Sequence, residues 1–440
     1  MPRAWLRPPR VAVTNSIGSP SAAARRYALV VLTVAYMFNF IDRAVLSILL
    51  PAIRDEFRVG DAVLGFLAGP AFALFYVAMG VPLARLADRV NRRNLIALAV
   101  AVWSAMTVLC GMAAGVWQLA LARVGVGIGE AGSNPPSHSI IADLYPPERR
   151  SAAMGFYTLG ISAGIMLAYL GGGWIVQDVG WREAFYLVGL PGLVVALLLR
   201  FTLREPARGE SEARIDSGAR PAVSVVLRFL LARRSFLHMA LGAGLSSFVG
   251  YSIVSWLPSF MHRSFEIEIA IAGSWLGPIY GLAGGFGFYL GGVFCDRIGR
   301  RGHRRSLMFI VSVALATAVL YAAMFLAPSA GLCIFLAVIP TMTSSFYLAP
   351  VFAQTQGLVS LRMRAVASSL LILVINIIGL ALGPWVTGIS SDLLTPLAGA
   401  DSLRYSLLAV SSVLLPWAAW HFYRASRSIE DDLARAAEHD

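Results

Sequence analysis

The chain is 440 residues long, 58% hydrophobic and only 14% charged, with a net charge of +12. Soluble domains carry about a quarter charged residues, so this composition argues against a water-soluble enzyme. All 36 basic residues are arginine; such a surplus points to nucleic acid in a soluble protein, but to topology in a membrane protein, so their placement must decide.

In chain order, residues 1–26 are polar, contain Pro and Arg, and have no apolar run ahead of a cleavage site, so they read as a cytoplasmic tail. Twelve apolar stretches follow, each near the ~20 residues that cross a bilayer: 27–50, 62–86, 94–116, 117–142, 151–176, 182–201, 235–261, 269–294, 306–327, 329–356, 364–390 and 402–423. The longest polar interval, 202–234, separates the sixth from the seventh and reads as a cytoplasmic linker whose end forms a short interfacial helix. The expected organisation is a six-helix bundle over 27–201 and a second over 235–423, with a cytoplasmic tail over 424–440 whose acidic end, Glu430 to Asp440, is solvated. Gly155, Gly160, Gly164 and Gly171 to Gly173 space small residues for close helix contact in the fifth span. The three cysteines, Cys110, Cys295 and Cys333, lie too far apart to suggest a metal site or a disulfide framework.

With the N-terminus placed inside, 29 arginines fall on inward-facing pieces and five on outward loops. That bias predicts a multi-pass inner-membrane protein with both termini cytoplasmic, and it removes nucleic acid as a partner. Two arginines, Arg43 and Arg123, remain inside spans.

The loop after the second span, Asp88-Arg89-Val90-Asn91-Arg92-Arg93, recurs after the eighth as Asp296-Arg297-Ile298-Gly299-Arg300-Arg301. Two copies in corresponding places mean homologous halves. The pattern resembles the signature loop of the major facilitator superfamily, and the resemblance runs over all twelve segments. It implies an all-α membrane protein of two pseudo-symmetric six-helix bundles. An Asp at the cytoplasmic end of a helix caps a helix of the other half only when the halves close on that side, which makes Asp88 and Asp296, with their flanking arginines, a candidate gate. Arg92 or Arg93 is expected to pair with Asp143. Asn91 replaces the turn glycine of the pattern, and Asn tolerates the left-handed conformation such a turn asks for.

Four charges inside spans stand out, because each costs ~2.5–3.5 kcal/mol to insert at the bilayer centre: Asp42, Arg43, Arg123 and Glu130. At ~1.5 Å per residue, Asp42 lies ~22 Å from the inner end of its helix and Arg123 ~9 Å from the outer end of its own. Those depths nearly coincide, so the two are expected to pair. Glu130 lies about two turns deeper on nearly the same face. Asp42 and Glu130 are candidate proton carriers; Arg43 and Arg123 either hold the carboxylates or bind an anionic headgroup. A static ion-pair network that fixes helix packing is the alternative. His138, beyond Pro135-Pro136, either titrates in the cavity or is structural.

Asn39-Phe40-Ile41-Asp42-Arg43, the Asn91 loop, Arg123-Val124-Gly125-Val126-Gly127-Ile128-Gly129-Glu130-Ala131 and Ile140-Ile141-Ala142-Asp143-Leu144 together resemble the Spinster family. That resemblance implies a secondary transporter working by alternating access, with proton coupling and a lysolipid- or sphingolipid-like cargo. It also implies that Asp42, Arg43, Arg123 and Glu130 couple protons and bind the headgroup. The string after Glu130 departs from the animal members, so a small organic anion such as a sugar acid or aromatic carboxylate is the competing cargo. Trp256, Tyr347, Gln354 and Asn376 either face a cavity or satisfy neighbours, and the C-terminal half is expected to be apolar. No nucleotide loop, nucleophile elbow or metal cluster appears, so no enzyme activity, metal or cofactor beyond the proton is expected, and the protein is expected to be a monomer.

Overall fold

The computed structural model describes residues 21–207, 222–300, 302–360 and 363–437, without the side chains of 147, 148, 151, 296, 436 and 437. The N-terminal bundle is built from α1 (Ala22–Phe57), α2 (Asp61–Ala68), α3 (Pro70–Ala87), α4 (Arg92–Gly111), α5 (Val116–Glu130), α6 (Asn134–Leu144), α7 (Pro147–Asp178) and α8 (Trp181–Thr202). A short helix, α9 (Val223–Leu231), leads into the C-terminal bundle: α10 (Arg234–Phe265), α11 (Ile269–Pro278), α12 (Gly284–Gly299), α13 (His303–Phe325), α14 (Ala330–Thr343), α15 (Leu348–Gly357), α16 (Arg364–Ile375), α17 (Leu382–Ala398) and α18 (Ser402–Ala437). π-helical turns, Ile279–Ala283 and Asn376–Ala381, join α11 to α12 and α16 to α17.

These helices make twelve spans. Ten runs among the described residues are long and apolar enough to cross a membrane by themselves. One of them, 364–435, holds the last two spans. The fourth span, 116–144, is not among them, because Arg123, Glu130 and the polar string at 132–139 lower its hydropathy; the chain turns at 131–133 and restarts with two prolines in the first turn of α6. The second span breaks between Gly69 and Pro70 for a related reason: proline has no N–H to continue the ladder.

Two local expectations are corrected. Asn91 is extended, not left-handed (φ −68°), and its Oδ1 accepts from the N–H of Asn94 at 2.9 Å. It caps α4, a role its side chain can fill and glycine's cannot. The C-terminal tail is helical as far as Ala437, and its acidic end is solvated only in part: Glu430 and Asp431 are exposed, but Asp432 is not. Asp432 is buried and accepts from the N–H and hydroxyl of Ser235 at 2.9 and 2.7 Å, which ties the end of α18 to the start of α10. The helix in the linker forms as expected; Val226 and Leu230, one turn apart, are its buried residues and join the core of the C-terminal bundle, with α9 beside α10 and α16.

Call the face that carries the described chain ends and α9 the terminal face, and the opposite one the distal face. The halves meet at the distal face. The gap between Gly69 and the carbonyl of Ala381 is so close that a Cβ on that glycine would lie 2.3 Å from the oxygen, and the same holds for Gly273 against Tyr169. Hydrogen bonds between the halves gather at the same end, joining Asp61 to Arg263 and Asp392, Trp174 to Ser274 and Gln177 to Glu268, while toward the terminal face a Cβ on Gly80 or Gly155 would meet open space. The bundle is therefore closed at one end and splayed at the other.

Candidate transport site

Asp42 and Arg43 are neighbours on α1, so a helix rotates them about 100° apart and sends them to different partners. Asp42, 1% exposed, turns into the N-terminal bundle. Arg123 of α5 donates to its Oδ1 at 2.7 Å, and Thr107 of α4 donates to Oδ2. The pairing expected from depth is present. Arg43 turns the other way and donates through Nε to Glu130 at 2.6 Å. Glu130 is the last residue of α5, where the fourth span breaks, and it is fully buried. Its second oxygen, Oε1, has no hydrogen-bond partner among the described residues.

Aromatic rings complete the setting. The Arg43 guanidinium lies 4.7 to 5.1 Å from the ring centres of Tyr76, Phe72 and Phe40. Arg123 lies 5.3 Å from the Phe72 ring, so one ring serves both cations. Two arginines and two carboxylates give a site with no net charge, which is what hydrocarbon tolerates.

A cavity of about 250 Å³ lies between the bundles. Arg43 and Arg123 are both among the residues lining it, while Asp42 and Glu130 are not. A molecule in the cavity therefore meets the cations, with the carboxylates recessed behind them. The C-terminal wall is not the apolar surface expected from the sequence: it carries Ser246, Ser247, Tyr251, Tyr280, Tyr321 and Thr341. Tyr347 also lines the cavity, whereas Trp256 is buried and donates to the Pro384 carbonyl at 2.9 Å. Gln354 is buried in α15, and Asn376 opens the second π turn.

Other expected residues fall nearby or apart. Asn39 is buried one turn before Asp42 on α1, and its Oδ1 has no hydrogen-bond partner among the described residues. His138 is exposed, and its ring stands edge-on to Tyr157 with centroids 5.4 Å apart. It touches none of the four charges in the hydrogen bonds and ion pairs described here.

Of the repeated loop, Arg92 makes the expected pair with Asp143, and the structure adds Glu205 at 2.7 Å, Ser139 at 2.8 Å and the Pro206 carbonyl at 3.0 Å. Arg92 is 1% exposed and staples the ends of the third, fourth and sixth spans within one bundle. Arg93 does not take Asp143; its N–H donates to Glu205 at 2.8 Å and its guanidinium to Leu203 at 3.2 Å. Asp88, Arg89, Arg297 and Arg300 are exposed on the splayed face. The side chain of Asp296 and all of Arg301 lie outside the described residues.

The sequence reading missed a charged cluster at the closed face. Arg263 of α10 forks onto both oxygens of Asp61, at 2.7 and 2.5 Å, and Ser391 of α17 donates to Asp61 at 2.7 Å. Asp392 accepts from the N–H groups of Asp61 and Ala62, both at 2.8 Å, and so caps α2 from the other half. Arg54 approaches Asp61 at 3.5 Å. In the sequence Arg54 and Arg263 are two of the five outward-loop arginines, and the signal for the cluster is an acidic residue, Asp61, at the start of the second span with another, Asp392, near the end of the eleventh.

Comparison with known proteins agrees with the fold. The model of the Major Facilitator Superfamily matches residues 32–427. An "MFS-type efflux pump" of Mycolicibacterium smegmatis is 32% identical over 432 residues, covering 97% of this chain and 99% of that protein. "Protein spinster homolog 1" of Homo sapiens is 32% identical over 246 residues, 54% of this chain but only 46% of that protein. A crystal structure of a bacterial homologue to the human lysosomal transporter Spinster, described as inward-facing and unoccupied, superposes with a TM-score of 0.84 at 33% identity, over 94% of this chain and 99% of that one. With its twelve spans, paired bundles and buried charges, this chain belongs to the major facilitator superfamily, as a membrane transporter of the Spinster type.

Proposed function

We propose that the protein is a proton-coupled carrier of an amphiphilic anion, of the lysolipid or sphingolipid type, working by alternating access. The observation that carries this reading is the arrangement of the four buried charges: two guanidiniums line the cavity and two carboxylates stand behind them. An anion entering the cavity competes with Glu130 for Arg43. Once displaced, Glu130 is a buried carboxylate without its cation, and a proton restores neutrality. Anion and proton then favour each other's binding, and they cross together as the halves rock. The direction of net flux follows the gradients. Aromatic and aliphatic side chains around the arginines, among them Phe40, Phe72, Ile165 and Phe288, suit an apolar tail.

By the arginine bias the terminal face is cytoplasmic, which makes the described state inward-facing. The Spinster-homologue structure with the same description supports that assignment.

The test is flux in liposomes under an imposed proton gradient, with labelled lysolipids and short organic acids as separate probes. The proposal expects lysolipid flux that follows the gradient and is lost in Asp42→Asn and Glu130→Gln. Unchanged gradient-driven flux in both variants overturns the coupling assignment. Stabilisation against heat by short acids alone, with none from lysolipids, overturns the lipid cargo in favour of a small organic anion.

A further inference from the structure

The C-terminal wall of the cavity is rich in hydroxyls, and two of them are unsatisfied among the described residues. Tyr280, Tyr321, Thr341 and Ser344 come from three neighbouring elements, the first π turn, α13 and the end of the tenth span's α14. Two are engaged. Tyr321 donates to the carbonyl of Pro340 at 3.3 Å, and Ser344 donates to that of Thr341 at 2.8 Å.

Thr341 and Tyr280 differ, because neither hydroxyl makes a hydrogen bond among the described residues. Tyr280, the longer of the two side chains, is 7% exposed. Its ring lies 5.2 Å from that of Tyr169, but Tyr169 donates its own proton to the carbonyl of Val254 at 2.5 Å. A buried donor without an acceptor is costly, and a packed membrane interior offers no bulk water to relieve it. Tyr280 also sits in a π-helical turn, a distortion that recurs at functional sites because it breaks the regular helix wall.

The chemistry of the wall limits what it takes. No charged residue of the C-terminal bundle is among the residues lining the cavity, so a second charge on the ligand would stand unpaired there. Hydroxyls pair with hydroxyls and carbonyls.

We propose that this wall, centred on Tyr280, is a second, uncharged subsite of the transport cavity, which hydrogen-bonds a hydroxyl or carbonyl group of the transported molecule. The proposal rests on Arg43 as the anion's contact. The transported molecule then has two polar parts, an anionic group at Arg43 and a neutral glycerol-like or sugar-like group at Tyr280. An alkyl chain ending in a bare phosphate satisfies the first and leaves the second empty.

The test uses two probes, dodecyl phosphate and 1-dodecyl-glycerol-3-phosphate, bound to the purified full chain in lipid nanodiscs. Wild type is expected to bind the glycerol-containing probe about fivefold to tenfold tighter, the worth of one buried hydrogen bond. Tyr280→Phe removes only the hydroxyl. It is expected to abolish that preference and to leave dodecyl phosphate binding and the melting temperature unchanged. Arg43→Ala is expected to weaken both probes. A preference that survives Tyr280→Phe, or that is absent from wild type, overturns the subsite. Affinities for both probes that survive Arg43→Ala overturn the anion contact instead, whatever Tyr280→Phe does.

Discussion

The two buried ion pairs have similar parts and different surroundings, and so respond differently to substitution. Asp42 and Arg123 are both buried, with side chains 1% and 2% exposed, and only the arginine borders the cavity. Removing Arg123 strands Asp42 without solvent. Arg123→Ala is expected to destabilise the protein by ~3–5 kcal/mol, and Asp42→Asn with Arg123→Gln to recover most of that loss. Thermal unfolding of the three forms in detergent checks it. Arg43 keeps 16% of its side chain open and can change partners. A proton on Glu130 frees Arg43 for an anion, so anion affinity is expected to rise as pH falls, by up to about tenfold per unit while Glu130 titrates. In Glu130→Gln the carboxylate is gone, and the pH dependence should go with it; binding of an alkyl sulfonate, which stays singly charged across pH 5 to 9, reads this directly. The first pair was legible in the sequence because depth along a straight helix is simple arithmetic. The second was not, since it depends on how α1 is rotated and on α5 ending at Glu130.

At the scale of helices, the spans were legible because apolar length is a strong signal, while their interruptions were only partly so. Pro70 and Pro135-Pro136 announce breaks, but nothing in Ile279–Ala283 or Asn376–Ala381 distinguishes a π turn from an ordinary one. The hydroxyl wall escaped notice for a related reason. A serine or threonine in an apolar helix most often bonds back to a carbonyl one turn earlier, as Ser252 does to Phe248 at 2.8 Å, so only the assembled fold shows which ones converge. Close packing of the halves rests on glycine at two crossings, Gly69 against the Ala381 carbonyl and Gly273 against that of Tyr169. Neither backbone oxygen can turn aside. Gly69→Val and Gly273→Val are therefore expected to disfavour the distal-closed state while leaving each bundle folded. Cysteines placed on the distal face should become more accessible to a water-soluble maleimide; unchanged labelling in both variants would sink the assignment.

For the whole molecule, the question is what holds one end shut while the other stands open. Hydrogen bonds between the halves gather at the distal face: the Asp61 cluster, Asp392 on the start of α2, and Trp174 to Ser274 and Gln177 to Glu268 between α7 and α11. At the terminal face Asp88 is exposed, and Arg92 is engaged within its own bundle. A helix N-terminus capped by a carboxylate of the opposite half was expected from Asp88 and Asp296 at the terminal face; the described state has that device at the other end, in Asp392. Alternating access needs such a contact to be strong enough to hold and weak enough to release, which a few charge-assisted bonds at a partly hydrated face provide. Asp61→Asn together with Asp392→Asn removes the charge from both contacts and touches nothing in the transport site. The population of the distal-closed state should fall by about tenfold or more relative to the distal-open one. Spin labels on the ends of α2 and α17 should then report a longer distance by pulsed electron resonance. Arg92→Ala is the internal control: its partners lie in one bundle, so it should lower the melting temperature without moving that distance. If the double variant keeps the wild-type distance distribution, the charged cluster does not hold the distal face, and apolar and glycine packing alone must do so.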